Sequence, residues 1–173
     1  RSGLGWGRGL QNSTSITNFP IKEEGDGRSP AGVFSLSSVF GYKPATEMSY
    51  LKMPYIHITE MVECIDDADS KYYNQIVERD AIIEEGVDWQ SSEKMRFAEI
   101  YYELGVVVDH NSDPIERGAG SCIFLHNWMD ENETMETTLS LTNTVAGSGA
   151  LSYELRTEPI EPAVREIADA YVE

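Results

Sequence analysis

Gly105-Val106-Val107-Val108-Asp109-His110-Asn111 and Gly120-Ser121-Cys122-Ile123-Phe124-Leu125-His126 are the stretches whose reading decides the fold. Each passes from glycine through a short apolar run and ends in polar groups at a histidine. Runs this short, rich in β-branched and aromatic side chains and bounded by turn formers, suit buried strands. Working outward, Met53 to Met61 alternates after Pro54 as a half-buried strand does, and Gly32-Val33-Phe34-Ser35-Leu36 alternates as well. Arg1 to Leu10 interleaves glycines with Leu4 and Trp6, a pattern of short strand and turn. The chain therefore reads as mainly β.

One or two peripheral helices are expected beside the strands. The first would start at Ser91 or Ser92 as cap, carry Met95, Phe97, Ala98, Ile100, Tyr101 and Leu104, and stop at Gly105. The second would follow Pro162 with Val164, Ile167, Ala168 and Tyr171 at helical spacing. Ser13 to Asn18 is polar, and Glu23 to Pro30 concentrates turn formers, so both predict irregular exposed chain. Ala146 to Ala150 reads as a connector. No internal repeat or heptad run is visible.

Composition narrows the function classes. With 173 residues and 40% apolar content, one domain with a real core is expected over residues 1–173. Thirty acidic residues against 13 basic ones give a net charge of -17, spread from Glu23 to Glu173. Such a surface repels nucleic acid phosphates and anionic headgroups, so neither is an expected partner. No apolar run approaches the roughly 18 to 20 residues of a membrane-spanning helix. The chain opens at Arg1 within what reads as structured sequence, so any export signal would precede it. Cys64 and Cys122 permit a disulfide or two buried thiols; beside Ile123 and Phe124, Cys122 as a thiol would be blunted by desolvation.

Cofactor chemistry has no motif. Neither glycine-rich stretch, Gly3 to Gly9 or Gly118 to Ser121, follows a strand and opens a helix as nucleotide motifs require. No His-Glu-x-x-His or Cys-x-x-Cys spacing supports a metal, and no acid/base pair stands out among thirty carboxylates. Three histidines remain. His57 sits on the polar side of a strand, where a structural role is the default. His110 lies between Asp109 and Asn111, which could orient its ring or simply close the turn. His126 ends an apolar strand, where titratable groups often line a pocket.

Several separated segments belong together: Lys22-x-Glu24-Gly25-Asp26-Gly27-Arg28-Ser29-Pro30-Ala31-Gly32-x-Phe34, Phe40-Gly41-Tyr42, Cys64-Ile65-Asp66-Asp67 with Ser70 and Tyr73-Asn74, Asp88-Trp89, Val107 to Asn111, and Gly120 to His126 with Trp128. In order and spacing they resemble the YkuD-type L,D-transpeptidase family. The resemblance runs from about Gly3 to Trp128. It implies a β-sandwich or barrel with one or two peripheral helices, in an exported, periplasmic or otherwise extracytoplasmic protein. It also implies acyl transfer on peptidoglycan peptide stems, through a cysteine that the residue matching His126 helps activate. No cofactor is implied.

In the subgroup resembled, the nucleophile follows that histidine by twelve residues, which is position 138 here. That position is Thr138, preceded by Thr137 where the family has glycine. A threonine hydroxyl is a far weaker nucleophile than a thiolate at neutral pH. Residues 135–173 form a tail that departs from the family's closing segment. Three readings stay open: a stem-binding relative without activity, an enzyme with a different nucleophile, or a tail that reflects a reading-frame or assembly error. The expected catalytic positions are His126 and Thr138, with His110 secondary. The alternative from another class is a non-catalytic secreted wall-binding or scaffold module.

Overall fold

A computed structural model describes residues 4–7, 20–82, 84–96, 102–126, 140–144 and 150–154. Within them the protein is mainly β, as the strand patterns imply. A four-stranded sheet runs in the order β4-β3-β8-β9, formed by β3 (Leu36–Gly41), β4 (Tyr55–His57), β8 (Leu104–Val108) and β9 (Phe124–His126). Strand β3 is parallel to β4 and antiparallel to β8, which is antiparallel to β9. A second sheet, β6-β5-β7, joins β5 (Val62–Cys64), β6 (Ile76–Glu78) and β7 (Glu93–Lys94), all antiparallel. A short parallel pair links β1 (Leu4–Trp6) with β2 (Ser29–Ala31), and β10 (Ser140–Thr144) pairs with β11 (Ala150–Glu154) as a hairpin. One 3-10 turn spans Arg79–Ile82.

The continuous apolar run of β8 has a direct cause. Its sheet is covered on both faces, so side chains of both parities are buried. One face carries Leu36, Val39, Val106 and Val108 against Met53. The other carries Phe40, with Val107 and Phe124, and packs against Val62 and Cys64 of β5, Met95 and Tyr102. Phe40, Tyr102 and Phe124 meet edge to face at centroid distances of 5.1 to 5.8 Å. Burying each such side chain stabilises the fold by about 1.5–3 kcal/mol. The disulfide Cys64–Cys122 joins β5 to the segment entering β9, which settles the open question of the two cysteines.

The first expected helix is not what the chain forms at either described end. Glu93 and Lys94 pair with Cys64 and Glu63 in a ladder, and Leu104 begins a strand. Gly105 is not a helix stop: it lies within β8, where an added Cβ would strike the Phe40 ring. The helical spacing of apolar residues is real, but backbone pairing to β5 and β3 outweighs a weak propensity. Residues 97–101, the second expected helix after Pro162, residues 146–149 of the expected connector, Ser13 to Asn18 and Thr138 lie outside the described residues, and Ala150, expected to end that connector, begins β11. Strand β3 begins at Leu36, where the alternating Gly32–Leu36 stretch was expected to be strand already.

Candidate functional site

The chain from Glu23 to Arg28 is irregular and partly exposed, as expected, with Glu23, Gly25 and Gly27 at the surface; Ser29 and Pro30, expected in the same loop, belong to β2 because they pair with β1, and Lys22 just before it is buried. Lys22 is 5% exposed, and its ammonium donates to the Glu23 carbonyl and to Asp26 Oδ1, both at 2.6 Å. Asp26 also accepts from the backbone N–H groups of Glu23 and Arg28. Burial pushes its carboxyl up, yet these hydrogen bonds and the Lys22 charge prevail and hold it below the usual carboxylate value. Glu24 points the other way. Its Oε2 accepts from Tyr73 at 2.5 Å and from Ser121 at 2.6 Å, while its backbone N–H donates to the Gly118 carbonyl.

Tyr73 and Asn74 stand between this loop and the segment that enters β9. The Tyr73 hydroxyl accepts from the Gly120 N–H, and desolvation, followed by the Glu24 contact, raises its pKa. Asn74 adopts φ 60°, a left-handed conformation that asparagine tolerates. From there its amide nitrogen donates to the carbonyls of His110 and Asn111, and its oxygen accepts from the Cys122 N–H. Asn111 in turn caps the Glu116–Gly120 loop through the Glu116 and Gly120 carbonyls. Gly120 has φ +99°, and a Cβ there would crowd Lys22 and His110 Nε2, so this position needs glycine.

His110 belongs to this hub. It is 8% exposed, its Nε2 lies 2.9 Å from the Ala119 carbonyl, and Phe34 meets its ring edge on at 5.4 Å. Burial lowers its pKa, opposed by the Ala119 bond and reinforced by the nearby Lys22 charge. Donating to a backbone carbonyl, the ring helps close the turn after β8.

His126 occupies a different place. It ends β9 opposite Gly105 and is half-buried, on the parity of Phe124, with its ring edge on to Tyr102 at 5.1 Å. The Tyr102 hydroxyl donates to Glu93, whose carboxyl is raised by burial, against the Tyr102 bond and with the charges of Asp66 and Glu24 adding to it. Gly105 and His110 are separated by most of β8, so the two histidines sit on the order of 15 Å apart along the sheet. They do not share one site. His57 is exposed at the end of edge strand β4, in keeping with a surface residue. Sequence reasoning placed Glu24, Tyr73 and Asn74 in the resembling segments without assigning them a site role. The only available signal was that three distant polar motifs in a β chain must find partners.

Both cysteines of the chain are consumed in the disulfide, so the oxidised protein has no free thiol. Among the described residues no His, Cys, Asp and Glu group could hold a metal ion, and no helix is long and apolar enough to cross a membrane. Comparison with protein-family models, with curated proteins and with solved structures finds no match to this chain.

Proposed function

We propose that this chain is an L,D-transpeptidase-like cell-wall protein that acts outside the cytoplasm, holding peptide stems of peptidoglycan with little or no acyl transfer. One observation carries the reading. The resembling segments Lys22–Phe34, Cys64–Asn74, Val107–Asn111 and Gly120–His126 interlock, through Glu24 with Ser121 across a separation of 97 residues, through Asn74, and through Cys64–Cys122. Segments that carry a family's motifs and also hold one another are expected to retain its framework. The disulfide favours an oxidising compartment. The absence of a thiol and the threonine at position 138 remove the ordinary nucleophile, which leaves binding as the chemistry His126 can serve.

Sedimentation with purified sacculi tests the reading. The protein is expected to pellet with sacculi, and His126→Ala to reduce the bound fraction several-fold with an unchanged melting temperature. Mass spectrometry after incubation with a carbapenem-type β-lactam is expected to show no acyl adduct. An adduct mapped to Thr138 would replace binding by acyl transfer. Folded protein that stays in the supernatant would favour the scaffold reading, to which the internally satisfied hub around Glu24 and Tyr73 lends itself.

A further inference from the structure

Arg79, Lys94 and the chain from Val87 to Ser92 line an open surface cavity of about 510 Å³. That is within the usual range for small-ligand sites. Its chemistry is unusual for a chain of net charge -17. Arg79 and Lys94 both line it, together with Trp89, Ser91, Ser92 and Val87. Beneath them lies Glu63, 1% exposed on β5. Glu63 accepts from Arg79, from Ser92, from Lys94 at 2.6 Å and from the Trp89 indole N–H at 3.3 Å. Burial pushes its carboxyl up, and these partners more than reverse that, so it stays ionised.

The charges do not cancel at the surface of the cavity. One buried carboxylate faces two cations, and each cation is bound to it through a single nitrogen. Lys94 keeps two further N–H groups. Arg79 keeps its second terminal nitrogen, and its Nε–H is covered by protein without an acceptor. Both side chains are partly open, at 39% and 48% exposure, and the exposed Ser91 adds a hydroxyl. Of the carboxylates around the rim, Asp67 accepts from the Gln90 and Asp69 N–H groups, Asp88 is spent on Ser70 and Lys71, and Glu93 on Tyr102. Glu78 and Asp80 are solvated.

We infer that this cavity is a carboxylate-binding site that takes the C-terminal carboxylate of a short peptide between Arg79 and Lys94. The guanidinium and ammonium supply charge-assisted hydrogen bonds, Ser91 a further donor, and Val87 an apolar wall for a small side chain. A polyanion is disfavoured, because every charge beyond the one seated in the cavity meets the acidic surface within a screening length of about 8 Å. The inference does not depend on the cell-wall reading.

The test is an NMR titration of the full chain with N-acetylalanylalanine and with its C-terminal amide, followed at the Trp89 indole N–H. The acid is expected to shift that resonance saturably and to bind at least about tenfold more tightly than the amide, the size of one lost charge-assisted contact. Lys94→Gln should lose about tenfold and Lys94→Arg should retain binding. Ser91→Ala, which leaves Glu63 and its partners untouched, should weaken binding a few-fold and keep the melting temperature. Equal binding of acid and amide, no saturable shift, or unchanged binding by Ser91→Ala together with folded Lys94→Gln would overturn the assignment. Sacculus sedimentation reads the cell-wall proposal separately, so either can fail alone.

Discussion

His110 and His126 stand at opposite ends of the same two strands, and they have opposite surroundings. His110 is enclosed, its Nε2 committed to the Ala119 carbonyl, its carbonyl held by Asn74 and its ring covered by Phe34. His126 ends an edge strand, half-buried, with an aromatic ring against it and a buried carboxyl one hydrogen bond further on. The His110 ring is tied to the turn after β8, whereas the His126 ring is partly open at a strand end. Cys122 lies between the two regions, so the disulfide couples them.

Breaking that coupling should have the largest effect. Cys64–Cys122 closes a loop with sequence separation 58, for which chain entropy gives about 4 kcal/mol. Cys64→Ser with Cys122→Ser, or reduction, is expected to lower the urea midpoint accordingly. A shift below about 1 kcal/mol would show that the hub holds without its covalent tie.

Next in size is Asn74→Ala, which strands the His110 and Asn111 carbonyls and the Cys122 N–H together. A loss of about 3 kcal/mol is expected from denaturant unfolding. Asn74→Gly restores the backbone freedom at φ 60° but not the bonds, and should recover only a small part. Full recovery by glycine would assign the position to backbone conformation alone.

Tyr102→Phe keeps the ring beside His126 and removes the donor to Glu93, with an expected cost of about 1–2 kcal/mol. Carbethoxylation by diethyl pyrocarbonate compares the histidines directly: exposed His57 should react first and His110 last by at least about tenfold, since reaction needs a free ring nitrogen. Equal rates at His57 and His110 would end the comparison.

The smallest effect is in pH. The folded protein takes up a proton at His110 less readily than the unfolded chain, whose reference value is 6.5. Below that value the unfolded state binds more protons, so this contribution is complete above about pH 6.5 and is lost as pH falls toward the folded value. Glu63 and Asp26, whose carboxyls are held low, add acid sensitivity only below their reference values of 4.5 and 3.8. His110→Gln should flatten the stability profile between pH 6.5 and 4.5 and leave the carboxylate limb in place.

Strand chemistry was legible where burial on both faces wrote itself as an apolar run, as in Val106–Val108 and Phe124–Leu125. It was misread at Glu93–Lys94 and at Leu104, the described ends of the expected helix, where spacing suggested a helix while Lys94 was committed to Glu63 on another strand. The site was half legible. His126 could be singled out from its place at a strand end, and the motif residues Lys22, Glu24, Tyr73 and Asn74 from their resemblance. Their mutual contacts could not, because a hydrogen bond across 97 residues leaves no local periodicity. The Arg79–Lys94 cavity gave no sequence signal either, since the two cations meet only through Glu63 on the strand between β6 and β7.

The amino-acid order by itself determined a mainly β chain, a net charge of -17, the scarcity of histidine and the threonine at position 138. Those properties belong to single residues or short windows. Tertiary structure decided that Cys64 meets Cys122, that Lys22 is buried beside a partly exposed loop, and that the His110 ring is committed to the Ala119 carbonyl. Each of these depends on which distant backbones pair, and pairing is settled by the summed burial of whole sheet faces.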